Sequence, residues 1–300
     1  MTRDGATKST SLSKDCGRTG SITRSTTSGS SENQGCSTYH SAARWRSGHN
    51  GTVVSDGHDV GVTSVQLDHV SVNIGTTSVL DDVSLDIGDG AFVGVLGPSG
   101  AGKTSILRII AGLATPSKGE VFVGGESMRG VRPERRGVVM VFQRHALFPY
   151  RTVAENVAFG LSVKKVPKAE RSHRVDAALA SVGMAEFGER WPDQLSGGQQ
   201  QRAAIARALA VQPRVLLLDE PMAHLDTELA AEVVNIISEL HHTTEMTTIM
   251  VSHHRSEMSA IADQLAVVIG GQIRQFGSAQ EVMDHPRDDD VARAIGTHPE

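Results

Sequence analysis

The stretch AFVGVLGPSGAGKTSILRIIAG, residues 91 to 112, decides the fold. Ala91 to Leu96 is an unbroken apolar run that reads as a buried strand, and Ser105 to Gly112 reads as a helix. Between them stand Gly97, Pro98, Ser99, Gly100, Ala101, Gly102, Lys103 and Thr104, the pattern strand, G-x-x-x-x-G-K-[ST], helix. Glycines without side chains let backbone N–H groups converge on phosphate oxygens, and the start of a helix adds a favourable dipole. Lys103 is then placed to reach β- and γ-phosphates, and Thr104 to supply a ligand to Mg²⁺. A Gly-rich turn that binds nothing has the same local spelling; both flanking elements in place favour the phosphate reading.

A second apolar strand, Val215 to Leu218, ends in Asp219-Glu220-Pro221. An Asp at the carboxyl end of a buried strand beside a phosphate loop is well placed to hold Mg²⁺. Neighbouring strand residues point to opposite faces, but where the strand ends the chain can turn Glu220 toward an attacking water as a general base. A capping or surface carboxylate fits the same spacing.

Outward from these two strands, the chain from Val62 onward alternates short β-branched runs with longer helical patterns, the texture of an α/β domain with a largely parallel sheet. No fixed-period repeat appears. Residues 1–61 differ: the first 50 hold 19 Ser or Thr and six Gly, too few apolar groups to offset the entropy of ordering. We expect a disordered tail over 1–61, with a transit segment, a plain extension and a binding tail as its possible uses, and one domain over 62–300. The tail carries seven basic and five acidic residues, leaving 22 basic against 29 acidic in the body. The net charge of −5 gives no global attraction to nucleic acid, and no basic patch stands out. The longest apolar runs fall far short of the roughly 20 residues that cross a bilayer. The two cysteines, Cys16 and Cys36, have no zinc-binding spacing and imply no disulfide framework, as in a reduced cytosolic protein.

Between the two apolar strands lies Leu195-Ser196-Gly197-Gly198-Gln199-Gln200-Gln201-Arg202. With this LSGGQ motif the sequence resembles the nucleotide-binding subunits of ABC transporters, from about Val65 to Gly296 and with the motifs in family order. The resemblance implies a P-loop core with a mostly parallel sheet, an antiparallel β subdomain and an inserted helical subdomain at about 144–212. It implies ATP and Mg²⁺ as ligands, and two domains paired head to tail around two ATP molecules. Ser196, Gly197, Gly198 and Gln199 of one protomer would then meet the nucleotide held by the partner. The Ser-Gly-Gly turn opens the helical run Gln200 to Leu209, which makes it a second anion-binding helix start.

Other roles come from the same resemblance. Gln143, in Val141-Phe142-Gln143, matches the glutamine loop and would link Mg²⁺ to the helical subdomain. His253, after the run Thr247 to Val251, matches the switch histidine that bonds the γ-phosphate. Asp226 matches the end of the D-loop and also suits the N-cap of the next helix. The segment Arg144 to Leu161 is close to bacterial importers of small polar solutes and ions (ferric ion, sulfate, polyamine and thiamine among them). There Leu147, Phe148 and Val153 fit either a groove for a coupling helix of the membrane subunit or ordinary core packing.

Three places depart from the family pattern. Ile74 stands where an aromatic usually stacks on adenine, which would weaken ATP affinity. Met222-Ala223-His224 replaces a commoner D-loop spelling, and His254 replaces the Asp that often follows the switch histidine. The chain ends soon after a short helix expected near Glu281, so control through the β-rich domain that many relatives carry there is not expected. The resulting expectation is an ATP hydrolase at the cytoplasmic face of the plasma membrane. Its partners would be a second copy or a paralogous subunit, transmembrane permease subunits and an extracytoplasmic solute-binding protein, with no nucleic acid. An exporter-type subunit and a soluble non-transport ATPase of the same family are the alternatives.

Overall fold

The computed structural model describes residues 63–144, 146–253 and 255–296. The expected tail over 1–61, both cysteines and His254 lie outside the described residues.

Two sheets organise the chain. The first is antiparallel and four-stranded, in the order β2-β1-β4-β5, from β1 (Thr63–Ile74), β2 (Thr77–Gly88), β4 (Lys118–Val123) and β5 (Glu126–Ser127). The second has six strands in the order β10-β9-β3-β8-β7-β6. They are β3 (Phe92–Leu96), β6 (Val138–Val141), β7 (Val215–Asp219), β8 (Thr247–Val251), β9 (Gln264–Ile269) and β10 (Gln272–Ser278). All its pairs are parallel except the edge pair β9/β10.

The unbroken apolar spelling of β3 and β7 has a direct cause: every residue in both strands is buried, because the large sheet is covered on both faces. The pleat sends Val215 and Leu217 into one core and Leu216 and Leu218 into the other. The first core lies between the antiparallel sheet, helix α1 (Lys103–Ile110) and one face of the large sheet, with Leu67, Ile87, Val93, Ile106 and Ile109 at its centre. The second core packs the opposite face against α4 (Gly197–Ala210) and α5 (Thr227–Thr244), with α2 (Val153–Val163) and α3 (Lys168–Ser181) joined to α4. Three short helices complete the chain: α6 (Arg255–Ile261), α7 (Ala279–Asp284) and α8 (Asp289–Ile295). Among the described residues no helix is long and apolar enough to cross a membrane.

Element ends shift where caps decide them. The helix read as starting at Ser105 begins at Lys103, behind a left-handed Gly102, and ends at Ile110. The one read as Gln200 to Leu209 runs Gly197–Ala210 because Ser196 caps it. The short helix expected near Glu281 is α7, and a further helix, α8, follows it. Of the two readings open for Val153, the structure takes the core: it is fully buried at the start of α2.

Candidate functional site

The loop after β3 is held open by its own backbone. Gly97 has φ 148°, and a Cβ there would stand 2.1 Å from the carbonyl oxygen of Val268, so only glycine fits. Gly102 (φ 103°) closes the loop, where a Cβ would approach the carbonyl of Val79 to 2.8 Å. Lys103, the first residue of α1, folds back across the loop and donates to the carbonyls of Gly97 (2.8 Å) and Pro98 (2.9 Å). Burial lowers the Lys103 ammonium pKa, while Glu220 and Asp219 oppose that shift. The first turn of α1 carries no acidic side chain. Its unpaired N–H groups therefore face a site suited to phosphate.

Asp219 ends β7 in register with Val251 of β8, which brings the tips of these strands together. The hydroxyl of Thr104 donates to Asp219 Oδ1 at 2.9 Å, so phosphate loop and strand tip are joined directly. Burial raises the Asp219 pKa, partly offset by the Thr104 bond. A buried carboxylate touching a hydroxyl is a hard oxygen donor set, and a divalent cation such as Mg²⁺ would satisfy its charge. The residues fit that ion.

Glu220 shows how a strand-end neighbour changes direction. Its φ is 50°, a left-handed conformation uncommon for Glu, and its N–H still bonds the carbonyl of Val251 at 2.9 Å. The side chain thereby reaches His253, whose Nδ1 donates to Glu220 Oε2 at 2.6 Å. The carboxylate only accepts, which fixes the proton on Nδ1. Lys103, Thr104, Asp219, Glu220 and His253 thus form one cluster along the carboxyl ends of β3, β7 and β8.

Among the described residues, no hydrogen bond joins Gln143, Ser196, Asp226 or Ile74 to this cluster. Gln143 is exposed just beyond β6, and Ile74 is 66% exposed at the tip of β1. Ser196 caps α4 reciprocally with Gln199: its hydroxyl accepts from Gln199 N–H at 3.3 Å, and Gln199 Oε1 accepts from Ser196 N–H at 3.0 Å. Asp226 caps α5 by accepting from Leu229 N–H at 2.9 Å. These two caps pack together, because a Cβ on Gly197 would stand 3.6 Å from Leu225 and one on Gly198 3.2 Å from Leu229. The exposed Ser196-Gly197 turn is therefore a second phosphate-type helix start, with Gly198 buried beneath it.

Two residues escaped the sequence reading. Arg136 donates to the carbonyls of Ile109, Ile110, Met128 and Val131, tying down the C-terminal end of α1. No local pattern announces an arginine that caps a helix 26 residues earlier. Asn156, fully buried, accepts from Phe148 N–H and donates to the carbonyls of Phe148, Arg151 and Thr152, shaping the segment before α2. Its burial at the base of α2 follows from packing that no single stretch encodes. In the same segment Leu147 is half-buried against the core, and Phe148 is half-buried against Phe159 and beneath Arg207.

The family model described as ABC transporter matches residues 80–223. A protein from Chlorella vulgaris named "Probable sulfate/thiosulfate import ATP-binding protein CysA" is 42% identical over 233 residues, spanning 78% of this chain and 99% of that protein. The "Fe(3+) ions import ATP-binding protein FbpC" of Escherichia coli (strain K12) is 43% identical over 232 residues, 77% of this chain and 67% of the relative. Among solved structures, the dimeric, post-hydrolysis state of the ATP-binding cassette MJ0796 bound to ADP and Pi superposes with a TM-score of 0.65 at 30% identity. It covers 72% of this chain and 98% of the other. With its sheets, its phosphate loop and this degree of identity, the chain belongs to the ATP-binding subunits of the ABC transporter family.

Proposed function

We propose that this chain hydrolyses ATP at a site completed by a second copy and uses the cycle to energise a membrane importer of a small polar solute or inorganic ion. One observation carries the reading: Glu220, turned by its left-handed backbone, is bonded to His253 within the same cluster as Lys103, Thr104 and Asp219. The backbone N–H groups from Gly97 to Thr104 and the Lys103 ammonium bind the phosphates. Thr104 and Asp219, with Gln143 beside them, would hold Mg²⁺, which supplies neutralisation of phosphate charge when bound. Glu220 accepts the proton of the attacking water, whose oxygen bonds the γ-phosphorus as the bridging oxygen leaves with ADP. His253 keeps Glu220 aimed and faces the γ-phosphate.

Ser196, Gly197, Gly198 and Gln199 have no part in their own protomer's cluster, so their exposed helix start serves the partner's nucleotide. Leu225 packs against that turn, and Asp226 caps the neighbouring helix α5. Ile74 supplies an aliphatic contact to the adenine. Closure of the two copies moves permease subunits that receive the segment around Leu147 and Phe148, and an extracytoplasmic solute-binding protein delivers cargo. This places the chain at the cytoplasmic face of the membrane as a peripheral subunit. The test is ATP-dependent solute uptake into vesicles bearing the membrane subunits, with and without this chain. Uptake that needs ATP but not the chain would remove it from the role.

A further inference from the structure

A cavity of about 300 Å³ lies beside the cluster, at the lower end of the sizes that hold ligands. Its lining includes Pro98 of the phosphate loop, His253 and Arg255 after β8, Ile269 at the end of β9, and Asp290 and Arg293 of α8. Helix α8 sits across the large sheet from α1: Val291 and Ile295 enter the core that holds α4 and α5, whereas Ile106 and Ile109 enter the other. The cavity thus joins the phosphate loop to the face of the sheet that α1 does not cover.

The two arginines here differ. Arg293 is paired with Asp290 on its own helix. Arg255 has no hydrogen bond or ion pair among the described residues, and its guanidinium lies along Gly296 at the end of α8, where a Cβ would stand 2.1 Å from Nη1. A guanidinium presents a fork of donors that matches an oxyanion, and an apolar wall such as Ile269 strengthens the attraction by lowering the local dielectric. The imidazole of His253, bonded through Nδ1 to Glu220, forms part of the same lining.

We propose that this cavity binds a small tetrahedral oxyanion, such as inorganic phosphate or sulfate, held chiefly by Arg255 with Arg293 as a further donor. Two sources supply that chemistry: the phosphate released from ATP next to His253, and an oxyanion taken from solution. The binding claim stands without the hydrolytic reading; only the assignment of the source rests on it.

The test is calorimetric titration of the full chain with phosphate and, separately, sulfate. Wild type is expected to show, apart from binding at the phosphate loop, one saturable anion site per chain that depends on Arg255. Arg255→Gln weakens binding by about tenfold or more, as loss of a charge-assisted contact implies. Arg255→Lys keeps part of the affinity, which separates lost charge from lost folding. Asp290→Asn tightens binding, because it removes a competing carboxylate and releases Arg293. No saturable binding by wild type, or an Arg255→Gln variant that titrates like wild type, would overturn the site. The source is then read from kinetics. A changed rate of phosphate release in a single turnover of Arg255→Gln assigns the site to the product. An unchanged rate, with sulfate slowing wild type but not the variant, assigns it to an anion from solution.

Discussion

His253 Nδ1 donates to Glu220 Oε2 at 2.6 Å, across the tips of the adjacent parallel strands β8 and β7. The imidazole and the carboxylate reach each other because Glu220 leaves its strand with φ 50° while His253 stands two residues beyond the end of its own. Glu220→Gln removes the proton acceptor while keeping the shape. Steady-state ATP turnover is expected to fall by about 10²-fold or more with ATP binding preserved. Rapid phosphate release by that variant would take Glu220 out of its role.

His253→Ala should lower kcat by about 10²-fold, since Glu220 loses its orienting partner. The KM for ATP is expected to change little. A rise in KM with kcat intact would instead make His253 a binding residue.

Asp219 exchanges stability for function. Burial raises its folded-state pKa, so its ionised form costs stability at neutral pH, and that cost fades as pH falls through the raised value. Asp219→Asn is therefore expected to melt above wild type at pH 7, with the difference shrinking toward acid pH, while ATP turnover is lost. Thermal melts across pH check the sign. A variant that melts lower at neutral pH contradicts it.

The legible part of the site was its local part. The phosphate loop and the Asp219-Glu220 strand end are each short local patterns that spacing displays, and the Ser196 turn is a short motif that the family resemblance identifies. The hidden part was long-range. Nothing near Gly97 states that the carbonyl of Val268 excludes a side chain there. Nothing near Gly198 names Leu229 as its neighbour, and Arg136 reaches a helix end through tertiary folding alone. Val153 looked equally suited to a groove or a core because an apolar residue at a helix start serves either. It is buried in a core shared with α4, whose residues follow dozens of positions later.

Ile74 offers a gain-of-affinity test. Its side chain is largely exposed at the tip of β1, so Ile74→Tyr costs the fold little. Stacking of a base on an aromatic is worth about 1–3 kcal/mol, and ATP affinity should rise by about fivefold or more. Fluorescent-nucleotide titration measures it, and unchanged affinity would place the adenine elsewhere.

Complementation between two inactive variants tests the composite site most directly. Lys103→Ala lacks the phosphate-loop ammonium, and Ser196→Arg blocks the exposed start of α4. Each purified alone should be inactive. When they are mixed, one site of each mixed dimer joins an intact Lys103 to an intact Ser196 from the other chain, and ATPase activity is expected to reappear well above the sum of the two. Activity that stays at that sum on mixing, in samples shown by native mass spectrometry to contain the mixed dimer, would contradict a site shared between two copies.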